Sequence, residues 1–124
     1  MNKKVLIVND LSFMHDTIKM IFESYPNITF SSALDGMDGI HSIEKEHFDL
    51  IISDIDMPHC NGVEFISSIQ KEGNQIPIIV LSASIDKGTR HILSLLNVKH
   101  IVDMQFYSFY ELRDCVLQTL DLKQ

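Results

Sequence analysis

Apolar residues along this chain fall into two kinds of segment. Five short runs, KVLIV at 4–8, ITFSSA at 28–33, DLIIS at 49–53, PIIVLS at 77–82 and HIVDM at 100–104, have strand length. The first, third and fourth are continuous rather than alternating, as expected of parallel strands buried on both faces. Between the runs, apolar residues recur at helical spacings: Met14, Ile18, Ile21, Phe22 and Tyr25; Phe65, Ile66 and Ile69; Ile92, Leu95 and Leu96; Leu112, Cys115, Val116 and Leu120. Each set predicts an inward helical stripe. The segment 35–47 has the weakest helical pattern, resting on Met37, Ile40 and Ile43. Ser12, Ser84 and the pair Asn61 with Glu64 stand where helix N-caps are expected.

The resulting order, five strands each followed by a helix, predicts an α/β fold with a parallel sheet, right-handed crossovers and helices on both faces. Sites in such sheets form outside the carboxyl ends of the strands. The residues there are Asn9 and Asp10 after strand one, Asp54 and Asp56 after strand three, Ser82 after strand four, and Asp103 and Met104 at the end of strand five. Carboxylates gathered at one edge repel one another, and hard oxygen ligands suit Mg²⁺ or Ca²⁺.

Composition narrows the classes. A chain of 124 residues suffices for one core and not two. Seventeen acids against ten bases, a net charge of -7, argue against nonspecific binding to nucleic acid or anionic membrane. Cys60 and Cys115 fit no metal-ligand spacing, the N-terminus carries no signal-peptide pattern, and no stretch approaches the roughly 18 apolar residues of a membrane span. The expectation is a cytoplasmic protein with free thiols.

The stretch DIDMPHCNG, Asp54 to Gly62, fits the pattern D-x-x-M-P-x-x-x-G, with Asp10 44 residues upstream and Ser82 28 downstream, each at a strand end. In motif, spacing and element order the whole chain resembles the receiver domain of response regulators, the phosphoacceptor half of two-component signalling. The resemblance implies a flavodoxin-like (βα)5 three-layer sandwich with strand order 2-1-3-4-5, and a single receiver domain over residues 1–124 with no output domain. It implies a phosphoryl group accepted on Asp54 and hydrogen-bonded by Ser82. Mg²⁺ would be held, weakly, by Asp10, Asp54 and the backbone carbonyl of Asp56, with Asn9 contributing through water. The implied partners are a histidine kinase or phosphotransfer protein and a downstream protein, not nucleic acid or membrane. The protein would be a monomer or a weak homodimer through the fourth helix, fifth strand and fifth helix. It would be no enzyme beyond self-catalysed phosphoryl transfer and autodephosphorylation.

Three positions depart from the family pattern. Asn9 replaces the first of two acids, Met104 replaces the lysine after strand five, and Ile101 replaces the aromatic residue three positions earlier. An ammonium at 104 would pair with the acceptor carboxylate and then with the phosphoryl oxygens; methionine does neither. Lys99 lies five residues back along the strand, roughly 16 Å away, and Lys87 is the nearer candidate substitute. The alternative reading is therefore a phosphorylation-independent protein-interaction module. More remotely, SDID resembles the D-x-D of haloacid dehalogenase-like phosphatases, in which the motif normally ends the first strand. No G-x-G-x-x-G or Walker loop supports a nucleotide binder. Phe106, Tyr107, Phe109 and Tyr110 form a possible partner surface. Met57, Pro58 and Gly62 have structural roles, His59 and Cys60 make at most a remote zinc site with Asp54 and Asp56, and His15, His41, His47, His91 and His100 are expected at the surface or an edge.

Overall fold

The computed structural model describes residues 2–57, 61–105 and 108–122. Pro58, His59, Cys60, Phe106 and Tyr107 lie outside them, so the zinc reading and half of the aromatic surface are not addressed. Strands β1 (Lys3–Val8), β2 (Ile28–Ala33), β3 (Leu50–Ser53), β4 (Ile78–Ser82) and β5 (His100–Asp103) alternate with helices α1 (Ser12–Ile21), α2 (Gly36–Lys45), α3 (Gly62–Lys71), α4 (Lys87–Leu95) and α5 (Phe109–Thr119). All strands are parallel, in the order β2-β1-β3-β4-β5. The parallel sheet is the one the element order predicts, and the flavodoxin-like three-layer sandwich with this strand order is the one the family resemblance implies.

Alternation along the strands divides the core in two. Val5, Ile7, Ile52, Ile79 and Leu81 face α1 and α5, where they meet Ile18, Phe22, Leu112 and Val116. Leu6, Val8, Ile51, Ile78 and Val80 face α2, α3 and α4, where they meet Phe65, Ile66, Ile69 and Leu93. Both faces of the central strands are thus dry, which explains their unbroken apolar runs.

The helices correct the sequence reading in three places. In α4 the fully buried residue is Leu93, whereas Ile92 and Leu95 are exposed. Four apolar residues among five positions fit two helical faces equally well. In α2, Met37 is exposed and the buried positions are Gly36 and Gly39. A Cβ at Gly39 would stand 2.8 Å from the Phe65 ring, so the helix approaches α3 through a residue that an apolar pattern does not register. The caps also differ. Leu11 rather than Ser12 precedes α1, with no side-chain cap, and α4 is capped by Asp86, whose carboxylate accepts from the Thr89 N–H. Asn61 does cap α3, accepting from the Glu64 N–H at 2.9 Å. A full capping box, Ser108 with Glu111, opens α5.

Candidate functional site

The carboxyl ends of β1, β3, β4 and β5 surround a cleft of about 430 Å³. Its floor is set by register: Val8 pairs with Ser53, and the Asp54 N–H extends the ladder to the Val8 carbonyl at 2.9 Å, so Asn9 and Asp54 emerge side by side. Asn9, Asp10, Asp54, Asp56 and Ser82 line the polar side, while Leu11, Phe13, Met14, Met104 and Phe109 form an apolar wall. Nothing in the strand and helix pattern marks Phe13 or Leu11 for this wall. Both are exposed large apolar residues beside an acidic cluster.

Asp54 is held asymmetrically. Its Oδ1 accepts the Ile55 N–H at 2.7 Å and, at 3.4 Å, the Asp56 N–H, whereas Oδ2 has no partner among the described residues. Burial pushes the carboxyl above its ordinary value; the two backbone N–H groups oppose the shift, and the neighbouring charges of Asp56 and Asp10 add to it. The turn that presents Asp54 depends on Gly62. Its N–H donates to the Ile55 carbonyl at 2.8 Å, and a Cβ there would lie 2.2 Å from the Asp54 carbonyl oxygen. Met57 packs into the core beneath the same turn.

Ser82 is buried, and its hydroxyl donates to the Ser84 carbonyl at 3.2 Å. The hydroxyl must turn to serve a ligand in the cleft. Asn9 is buried and tied twice: Oδ1 accepts the Leu11 N–H at 2.9 Å, and its backbone carbonyl meets His15 Nε2 at 2.8 Å. His15, expected at the surface, is 3% exposed, because it lies on the inward face of α1 beneath the β1–α1 turn.

Met104 is half-buried and packs with Phe109 against the core on the α1/α5 side. Its neighbour Asp103 points to the opposite face, where Ile101 also packs. No lysine or arginine lines the cleft among the described residues. Lys87 is an exposed residue opening α4, and Lys99, bonded through its N–H to Ile78, sits at the far edge of the sheet.

Among the described residues the donor set in the cleft is hard oxygen, which suits Mg²⁺. No three His, Cys, Asp or Glu side chains converge to cage an ion among the described residues, so protein ligation would rest on few carboxylates.

The family model of the response regulator receiver domain matches residues 5–105. The chain belongs to the response regulator receiver family. The receiver superposes on the Francisella response regulator 1452 receiver domain with a TM-score of 0.87 and 25% identity, covering 97% of this chain and 98% of that one. It is also similar to the Thermotoga maritima response regulator TrrA in complex with Mg²⁺–BeF, at a TM-score of 0.80 and 26% identity over 94% of this chain and 98% of that one. Among curated proteins, it is 34% identical over 93 residues to protein-glutamate methylesterase/protein-glutamine glutaminase 3 of Vibrio cholerae, covering 75% of this chain. The receiver spans about a quarter of that relative's length, 26%. This is therefore a receiver domain of two-component signalling.

Proposed function

We propose that this receiver accepts a phosphoryl group on Asp54 in a Mg²⁺-dependent reaction and signals through protein contacts. The observation that carries the reading is the Asp54 carboxylate at the cleft, with one oxygen fixed by backbone N–H groups and the other without a partner among the described residues. In the transfer, an Oδ2 lone pair forms the new O–P bond as the donor's N–P bond breaks; the departing imidazole nitrogen keeps the N–P bonding electrons and takes a proton from water. Asp10 and Asp54, with the Asp56 carbonyl, would hold Mg²⁺, and Asn9 would reach it only through water. When bound, the ion neutralises charge on the transferred group. Ser82 would exchange its bond to Ser84 for one to a phosphoryl oxygen.

The donor would be a phosphohistidine of a histidine kinase or phosphotransfer protein. Output would pass to a protein partner, or a second copy, over the face formed by α4, β5 and α5. Support for that face comes from Leu95 and Tyr110, 72% and 68% exposed, and from Ile92, exposed three residues before Leu95 on α4. Residues 1–124 would act as one receiver unit. No helix among the described residues is long and apolar enough to cross a membrane, in keeping with a cytoplasmic role.

Incubation with Mg²⁺ and acetyl phosphate, followed by intact mass, should show a phosphoryl adduct that Asp54→Ala abolishes. No adduct at any Mg²⁺ concentration would favour the phosphorylation-independent module instead.

A further inference from the structure

A phosphoryl group entering this cleft meets three carboxylates, Asp10, Asp54 and Asp56, and no cationic side chain among the described lining residues. Leu, Phe and Met side chains offer no hydrogen-bond donor, and carboxylates only accept. The side-chain donors left are the Ser82 hydroxyl and the Asn9 amide. Asn9 has its orientation fixed by chemistry. The atom 2.9 Å from the Leu11 N–H must be its carbonyl oxygen, since two donors do not pair, so NH₂ is the group left over. Among the described residues Nδ2 has no acceptor, yet the one sealed side-chain nitrogen or oxygen without a partner is His15 Nδ1. The Asn9 amide therefore keeps access to the cleft that it lines, beside Asp54 on the adjacent strand. His15 clamps the Asn9 backbone carbonyl from below and removes the remaining freedom of the turn.

We propose that the Asn9 side-chain amide is the N–H donor of this site, hydrogen-bonding a phosphoryl oxygen during transfer to Asp54 and in the product. The inference rests on Asp54 being the acceptor. It reverses the role expected of position 9, from a remote oxygen ligand of the metal to a direct contact with the anion. The bond order at phosphorus is untouched by it: Asn9 lends a proton without transferring it, and stabilises charge as preorganised donors do.

The two roles predict opposite signs for one substitution. Asn9→Asp keeps an oxygen for the Leu11 N–H, so the turn survives, but it removes the NH₂ and adds a metal ligand. Calorimetric titration should show Asn9→Asp binding Mg²⁺ more tightly, while its adduct forms roughly tenfold more slowly at saturating Mg²⁺. Asn9→Ala, which removes the donor without adding charge, should be slowed in the same direction. Faster labelling of Asn9→Asp, or wild-type labelling of Asn9→Ala, would overturn the donor role while leaving Asp54 as acceptor. Failure of the unmodified protein to label at all would overturn both.

Discussion

Arg90 of α4 reaches the end of β5, where its Nη2 lies 3.6 Å from Asp103 Oδ2; the guanidinium side chain is 48% exposed and the carboxylate 2% exposed. The other carboxylate oxygen accepts the Gln105 N–H at 3.0 Å, and Gln105 in turn accepts a bond from the Ser84 hydroxyl at 3.4 Å. The residues around the cleft's β4 and β5 rim are thereby tied to α4 by charge rather than by an aromatic side chain. Arg90→Ala would leave a buried carboxylate without its cation. Because the pair is half wet on the arginine side, the loss should be about 1–3 kcal/mol, below that of a fully buried pair. Urea unfolding reads it directly, and Asp103→Asn, which still accepts from the Gln105 N–H, should cost less.

Gly62→Ala tests the turn that presents Asp54. The new Cβ cannot share space with a carbonyl oxygen 2.2 Å away and the Ile55 Cα 2.7 Å away. Either α3 or the β3 end must move, at roughly 1–3 kcal/mol. We expect a lower melting temperature together with slower labelling of Asp54, since the displaced atom belongs to the acceptor itself. A stable, fully active Ala variant would show that the turn is less constrained than its geometry implies.

The inward face of α4 separates what the sequence shows from what it hides. Leu93→Ala, in a fully buried position, should cost about 2–5 kcal/mol; Leu95→Ala, largely exposed, should fall within about 0.5 kcal/mol. Equal losses would contradict the observed phase of the helix. The strands were legible because residues buried on both faces leave unbroken apolar runs. The acidic cleft was legible because strand ends of a parallel sheet must converge. Phase was not legible in α4, where Ile92, Leu93, Leu95 and Leu96 satisfy two faces, nor in α2, where glycines fill the buried stripe. His15 stands three residues before Ile18 and seven before Phe22, on the inward stripe of α1, and escaped notice because a pattern built on apolar residues does not register a histidine.

Acid should loosen α4 and α5 from their amino ends. The Thr89 backbone N–H, aided by the Thr89 side chain, holds the Asp86 carboxyl below its ordinary 3.8, and the Ser108 hydroxyl holds Glu111 below 4.5. Each carboxylate binds its proton less tightly folded than unfolded. The stabilisation is therefore complete above the ordinary value and is lost as pH falls through the lowered one. Asp86→Asn and Glu111→Gln keep acceptor oxygens but do not titrate. The drop in melting temperature between about pH 6 and about pH 3 should shrink in both variants, and an unchanged drop would place the acid sensitivity elsewhere.

Met104→Lys addresses the position with the largest consequence for the cleft. Met104 runs half-buried beside Phe109 along the core facing α1 and α5, and a lysine stem can follow the same apolar path while its ammonium reaches the polar side. There it would meet Asp54 at rest and a phosphoryl oxygen after transfer. The resting effect opposes burial, lowering the raised proton affinity of Asp54; the effect on the product should lengthen adduct lifetime by about tenfold. The same charge repels Mg²⁺, so labelling should need more of the ion than the unmodified protein does, and Asn9→Asp combined with Met104→Lys should reverse that demand. The double variant also isolates the amide, because a lysine in place makes the Asn9 donor dispensable. Time courses of intact mass across Mg²⁺ concentrations measure yield, lifetime and metal demand together. Unchanged yield and lifetime in Met104→Lys would mean that the cleft already supplies the stabilisation an ammonium could add.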